Sequence, residues 1–397
     1  MIICPKEKCT GCYACINACP CHCITMQNDS IGILHPTIDD EKCIHCNLCI
    51  KSCPNNCEFE FKSPIKCYAT WTKDKEKRKK CASGGIATVF SEYIIKQKKG
   101  VVYGTRYTKD LIPITTRSET LEDLEYFKGS KYTQSLVGEC FKDIKKDLVQ
   151  KKEVLYIATP CQIAGLYSFL KKEYSNLLTI DLICHGVSPT SYFIDEIEFL
   201  KQKNKIPHIT DVRFRGNDRK NFQLSLWDNN TLKYCKSAYS QYYFSGFLKG
   251  ITLRENCYTC NYARPERISD ITIGDFIGLG KDTPFKHNPY NVSIVLPNTD
   301  KGLSIYNTIQ CDETNEIQSV ERKYAEAIKY GPSLRAPFPR HPYQKEFIYL
   351  CESKGYLYAI RKVLKRNIIQ NQLLYIPDFL FRRIPRKILK TIRIIKI

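Results

Sequence analysis

The sequence predicts an α+β chain in which a small cysteine-built module precedes a larger mixed α/β domain. Three observations carry this expectation. Two matched cysteine runs lie within the first 54 residues. Beyond about residue 80, helical and strand patterns alternate, as they do where helices pack against a mixed or parallel sheet. From about Val212 to Leu296 the pattern turns to short strands and loops. A chain of 397 residues is long enough for two or three domains and a sizeable core.

The first run reads Cys9-x2-Cys12-x2-Cys15-x3-Cys19-Pro20 and the second Cys43-x2-Cys46-x2-Cys49-x3-Cys53-Pro54. This is the spacing of a two-cluster bacterial ferredoxin, in which the fourth cysteine of each run ligates the other cluster. The expected sets are therefore Cys9, Cys12, Cys15 and Cys53 for one 4Fe–4S cluster, and Cys19, Cys43, Cys46 and Cys49 for the other. Zinc sites use four ligands in CxxC pairs across a longer linker, which two complete runs do not fit. A disulfide framework needs an oxidising compartment, and the chain reads without a secretory leader. The proline after each fourth cysteine ends the short helix carrying the run, because it cannot donate a helical hydrogen bond.

Eight of the 22 cysteines belong to these runs. Thiolate ligands without a secretion signal imply a reducing cytoplasm. No apolar stretch of about 18 residues suggests a membrane span. The formal charge is +20, from 61 Lys or Arg against 41 Asp or Glu. No recognised nucleic-acid module accompanies it, so a nucleic-acid partner is not expected. Much of the excess lies at one end: residues 354–397 carry twelve Lys or Arg and one acid, Asp378. From Phe379 to Ile397 apolar residues alternate with Arg382, Arg383, Arg386, Lys387, Lys390, Arg393 and Lys396. That pattern suits a helix on an anionic membrane surface, a tail docked on an acidic partner, or a solvated helix on its own domain.

Residues 1–60 are read as the ferredoxin module, whose two halves make a pseudo-repeat. Residues 61–80 include Lys73, Lys75, Lys77, Arg78, Lys79 and Lys80 and read as a basic linker. Ser83-Gly84-Gly85 opens a helix to about Lys98. A strand follows at Val101–Tyr107, then a helix over 136–150. Val154–Ala158 is a strand, followed by Thr159-Pro160-Cys161-Gln162 and a helix to about Lys172. Leu178–Ile183 is another strand, ending at Cys184-His185-Gly186, and a helix is expected over 302–309.

Cys161 and Cys184 both follow strand ends, the edge where open α/β sheets bind ligands. Cys257-x2-Cys260 adds a pair. These four thiols suffice for one more 4Fe–4S cluster. Spacing alone leaves a zinc site and buried core cysteines open.

The stretches Ser83-Gly84-Gly85, Gly129-Ser130-Lys131-Tyr132, Ala158-Thr159-Pro160-Cys161-Gln162, Asp181 to Val187, Val212-Arg213-Phe214-Arg215, Cys257-x2-Cys260 and Asp270 to Phe276 occur in the order of a known family. Over residues 80–300 the chain resembles the coenzyme F-420 hydrogenase/dehydrogenase beta-subunit family of iron–sulfur flavoproteins. The resemblance implies bound FAD and a cluster in the large domain, with Cys161, Cys184, Cys257 and Cys260 as its ligands. It places Ser83, Gly84 and Gly85 at the flavin, and Ser130 and Lys131 at a flavin or phosphate contact. A glycine pair at a helix N-terminus lets backbone N–H groups approach a diphosphate, although Ser83 would serve equally as a plain cap. Arg215 and Asp275 match family positions without an assigned role. No catalytic acid or base is assigned.

The expected fold is thus α+β: an N-terminal two-cluster ferredoxin-like module followed by a larger mixed α/β flavin- and cluster-binding domain. The latter comprises residues 81–175 and 176–320, and residues 321–397 form an extension with a basic amphipathic tail. The expected activity is that of a cytoplasmic oxidoreductase, attached through its tail to the inner face of the membrane or to an acidic partner. It would exchange electrons between a soluble hydride donor or acceptor, deazaflavin-like or unknown, and a redox partner protein or ferredoxin. The alternative is an adaptor that relays electrons between ferredoxin and a partner enzyme and binds no small substrate.

Overall fold

The computed structural model describes residues 1–215, 222–312 and 317–374. The amphipathic segment expected from Phe379 to Ile397 lies outside the described residues, and with it the expected membrane or acidic-partner contact.

The N-terminal module is built on β1 (Ile24–Asn28) and β2 (Leu34–Ile38), antiparallel with Ile24 opposite Ile38. Two short helices, Ala14–Ala18 and Leu48–Lys51, complete it. The first stops just before Cys19-Pro20 and the second two residues before Cys53-Pro54, as the prolines require. The pseudo-repeat extends to the backbone: Gly11 and Tyr13 have φ of 64° and 67°, and the equivalent His45 and Asn47 have 52° and 59°. Left-handed residues cost non-glycine side chains conformational energy, so this geometry is retained for a purpose.

The main sheet has eight strands: β3 (Tyr68–Thr72), β4 (Val101–Tyr107), β5 (Pro113–Ser118), β6 (Val154–Ala158), β7 (Leu177–Leu182), and, after a separate three-stranded sheet of β8 (Asp211–Arg215), β9 (Phe222–Asp228) and β10 (Thr231–Ser237), also β11 (Ile271–Asp275), β12 (Ser293–Pro297) and β13 (Ile317–Glu321). Their order is β13-β3-β12-β11-β7-β6-β4-β5. The pairs β11/β7, β7/β6 and β6/β4 are parallel, and β3 is antiparallel to β12, which is antiparallel to β11. Five strands, β3, β11, β7, β6 and β4, therefore run the same way and share one C-terminal edge.

Two expectations differ from the observed structure. The basic linker at 61–80 contains β3, buried at all five positions, and a helix at Lys75–Lys80 capped by Asp74. The β-favouring run Tyr68-Ala69-Thr70-Trp71-Thr72 outweighs the basic residues that follow it. Residues 81–175 and 176–320, expected as two parts of one domain, share the sheet: β6 and β7, on either side of the division, are hydrogen-bonded neighbours. The helix expected from residue 136 starts at Cys140, because Leu136 instead pairs with Ile114 and accepts from the Thr115 N–H.

Helix Ile86–Lys96 and helix Asp300–Cys311 cover one face of the sheet, burying Phe90, Ile94, Tyr306 and Ile309. Helices Cys140–Val149 and Pro160–Leu170 cover the other, and the ferredoxin-like module packs on top of them. Beneath Tyr13 and Ala14 lie the fully buried Phe141, Tyr156 and Leu166, each contributing about 2 kcal/mol. Asn17 ties the join: its amide donates to the Tyr13 and Gly138 carbonyls at 2.9 and 2.8 Å and accepts from the Lys142 N–H at 3.2 Å.

The three-stranded sheet packs with helices Thr190–Lys203 and Tyr242–Leu248 into a second core. Helix Tyr356–Leu374 closes that core with Ala359, Ile360, Leu364 and Ile368, so the residues expected as an extension beyond 321 begin as core. No described helix is long and apolar enough to cross a membrane.

Candidate functional site

The cysteines of the two runs line two hollows, each of about 300 Å³ including the space open to solvent. One is bordered by Cys9, Cys12, Cys15 and Cys53, the other by Cys19, Cys43, Cys46 and Cys49, the crossed sets that the spacing predicts. Among the described residues no three Cys, His, Asp or Glu side chains converge on a single-ion site. The paired left-handed residues Gly11/Tyr13 and His45/Asn47 curl the backbone around each run, the kind of nest that turns N–H groups towards an anion. Four thiols around a nest fit a 4Fe–4S cluster.

Each hollow holds extra thiols. Cys4 lines the first, and Cys21 and Cys23 line the second, with Cys23 Sγ 3.3 Å from Cys19 Sγ. Hydrogen bonds to Cys53 and Cys9 push the Cys4 thiol far up, and the same bonds hold Cys9 and Cys53 down. Burial pushes Cys12 up to about 12. Cys57 and Cys67 stand apart: Cys57 donates to the Lys51 carbonyl, and Cys67 is packed among Ala69, Trp71 and Leu296.

The large-domain cysteines gather at the C-terminal edge of the sheet. Cys161 opens the helix after β6, held by a Thr159/Gln162 capping box, and Cys184 follows β7. Cys257 and Cys260 lie on and just after the turn Glu255–Thr259. Burial raises all four thiols, to about 11 for Cys161 and about 12 for Cys257, and each of Cys161, Cys184 and Cys257 is raised further by others of the set. Unpaired, such buried thiols stay neutral; a bound cation favours the thiolate. Gly186 brings the loop after Cys184 against Cys257, where an added Cβ would sit 3.4 Å from the Cys257 Cβ.

This set adjoins the first hollow. Tyr262 is pushed up by burial and then by Cys161, Cys12, Cys260 and Cys53, members of both groups. Gly165, one turn past Cys161, touches Cys12: a Cβ there would lie 2.9 Å from its Sγ. Arg254 bridges the two, donating to the Cys9 carbonyl at 2.9 Å from a position three residues before Cys257.

The residues expected at a flavin share the same sheet edge. Gly84 packs so closely that a Cβ would lie 2.4 Å from the Thr70 carbonyl oxygen, and its N–H donates to Ser293 Oγ at 2.9 Å. Gly85, at φ 85°, caps helix Ile86–Lys96, and the Ser83 hydroxyl is buried without a partner. That orphaned hydroxyl beside a helix N-terminus fits an additional acceptor or anion. Gly129 has open space where its Cβ would be, and Ser130 lies within hydrogen-bond reach of the Tyr132 phenol. Lys131 is engaged otherwise: its ammonium donates to the Tyr126, Phe127 and Lys128 carbonyls at 3.0, 3.2 and 2.9 Å and to the Gly129 carbonyl at 3.4 Å. Burial pushes it down to about 8. Asp275, at the end of β11, pairs with Arg215 at 2.5 Å, and Arg215 also donates to Tyr132 Oη at 2.8 Å. The sequence did not single out Arg254, Cys4 or Gly165. The partners of Arg254 and Gly165 lie mostly far away in the chain, and Cys4 falls outside both cysteine runs; a basic residue beside a CxxC was the one available signal.

Residues 151–323 match the family described as the C terminus of the coenzyme F420 hydrogenase/dehydrogenase beta subunit. Residues 8–57 match the 4Fe-4S dicluster domain. A chain of the xenon-derivatised F420-reducing NiFe hydrogenase complex from Methanosarcina barkeri is similar at 16% identity and a TM-score of 0.46, covering 80% of this chain and 94% of that one. No curated protein matches.

Proposed function

We propose that this chain, whose residues 151–323 match the C-terminal family of coenzyme F420 hydrogenase/dehydrogenase beta subunits and whose residues 8–57 match a 4Fe–4S dicluster domain, is an iron–sulfur flavoprotein oxidoreductase. It holds three 4Fe–4S clusters and FAD, and exchanges electrons between a soluble hydride donor or acceptor, deazaflavin-like in the family's manner, and a redox partner protein. The observation that carries this reading is a continuous series of cysteine sets. Cys161, Cys184, Cys257 and Cys260 lie at the sheet edge, Cys9, Cys12, Cys15 and Cys53 against them, and Cys19, Cys43, Cys46 and Cys49 beyond, where Cys46 is exposed.

When bound, the flavin supplies two-electron hydride chemistry and the clusters supply one-electron transfer. The chain's own residues position and insulate. The capping box at Thr159 fixes Cys161, the nests at Gly11 and His45 shape the two hollows, and Asn17 locks the module onto the sheet. Ser83, Gly84 and Gly85, with Ser130 in the facing loop, would hold the flavin. Lys131 organises that loop by binding its carbonyls. Arg215, held by Asp275 and Tyr132, presents a cation at the same edge.

The engagement of Lys131 favours a second reading, in which no flavin phosphate is bound and the chain is an electron-relaying adaptor. Protein purified without oxygen discriminates the two. About twelve irons and one FAD per chain are expected for three clusters and a flavin. About eight irons without flavin would overturn the hydride-exchanging role and leave the adaptor.

A further inference from the structure

Arg254 is among the largest fully buried side chains of the molecule, 1% exposed. Its guanidinium donates only to neutral acceptors: the Cys9 carbonyl at 2.9 Å, the Leu34 carbonyl at 3.0 Å, Gln134 Oε1 at 2.9 Å and Asn256 Oδ1 at 3.4 Å. Its own N–H donates to the Val187 carbonyl, in the loop that follows Cys184. Among the described residues no carboxylate lies within ion-pair distance of it. The other fully buried arginine differs. Arg267 meets both carboxylate oxygens of the buried Asp181 at 3.2 Å.

A buried cation without a counter-ion is costly, and arginine does not escape the cost by losing its proton. The negative charge that offsets Arg254 must therefore come from something the chain carries when complete. The thiols around it point to the source. Its side chain bonds the Cys9 carbonyl, its backbone N–H bonds the loop after Cys184, and it stands three residues before Cys257, so it touches two cysteine sets. None of its side-chain hydrogen-bond partners lines the second hollow. A Cβ on Gly11 would collide with Gln134 Nε2 at 2.3 Å and press on the Arg254 guanidinium carbon at 3.3 Å, so glycine there leaves room for the arginine and its partner.

We propose that Arg254 is the fixed counter-charge shared by the Cys9 and Cys161 clusters, and that it raises the reduction potential of both relative to the outer cluster. The proposal rests on the cluster assignment above. A cluster gains one negative charge on reduction, and in a water-excluded interior a fixed cation nearby stabilises the reduced form. Arg254 is a positioning residue in this role: it touches the carbonyl of one ligand and precedes another, and binds no substrate. Because it acts on two of the three sets, it grades the series, holding the electron on the inner pair unless a partner accepts it.

The test uses the full chain, purified without oxygen, in an electron-paramagnetic-resonance redox titration with iron content measured alongside. Arg254→Gln removes the charge. Gln134→Glu keeps the arginine but places an isosteric carboxylate against it. Each is expected to lower the midpoints of the two inner clusters so that the reduced-to-oxidised ratio at fixed potential falls about tenfold, or about 59 mV for a one-electron couple, while the outer cluster stays put. Arg254→Lys is expected to restore most of the shift. Unchanged midpoints in iron-replete chains, an equal shift of all clusters, or loss of iron from both neutralised chains would overturn the proposal and leave Arg254 a structural tie. A wild-type chain with about eight irons would instead sink the large-domain cluster, leaving the Cys9 cluster as the test of Arg254.

Discussion

Gly165 shows how a single atom bears on Cys12, a proposed cluster ligand. Alanine in place of a helical glycine ordinarily stabilises by about 0.5–1 kcal/mol. At position 165 the added Cβ would lie 2.9 Å from both Cβ and Sγ of Cys12. Gly165→Ala is therefore expected to destabilise by about 1–3 kcal/mol and to reduce iron content by about four atoms per chain, read by melting and iron assay. Iron and stability at wild-type levels would show that Cys12 can move aside. At this scale the sequence was most legible for the eight ferredoxin-type cysteines, because local spacing alone gathers each set of three. Arg254 was not legible, since its partners Cys9, Leu34 and Gln134 lie more than 100 residues away in the chain.

Among the described elements, the closing helix Tyr356–Leu374 is attached through a buried titratable pair. Arg361 reaches Glu196 of helix Thr190–Lys203 at 3.1 Å, and Gln241 donates to the same carboxylate at 3.0 Å. Burial nevertheless pushes Glu196 up from 4.5 to about 7, against the pull of Arg361. Between these values the folded chain keeps a proton that the unfolded chain releases, so stability falls as pH rises through the window, by up to about 3 kcal/mol. The melting temperature is expected to decline from pH 5.5 to 8 in the wild type and to change less in Glu196→Gln; parallel profiles would refute this. Element legibility followed pattern strength. β4, β6 and β7 were readable because each is a short apolar run bounded by turns or a helix cap. β3 was hidden by the basic residues after it, and helix Tyr242–Leu248 by an aromatic composition that suits strand equally well.

At the scale of the molecule, charge and exposure together define how a partner meets the chain. The excess of 20 positive charges favours an acidic redox protein, with attraction that weakens as salt screens it. The rate of reduction of an acidic ferredoxin is expected to fall steeply between low and physiological ionic strength, measured by stopped-flow. A salt-independent rate would assign docking to the apolar surface near Ile44, which is 65% exposed beside the second hollow. The architecture of the sheet edge was anticipated in outline, because strand-end cysteines mark it. The joining of the module to the sheet was not, since it depends on Asn17, Gly138 and Lys142 meeting across more than 100 residues. Exposure of Cys46 has a further consequence. Oxidants reach thiolate ligands in order of access, so damage by air would dismantle the centres from the outside inward. Brief aeration is expected to release about four irons first, removing the outlet to the partner while the inner centres survive and electron traffic stops. The outer cluster would then act as a fuse for the buried chemistry behind it.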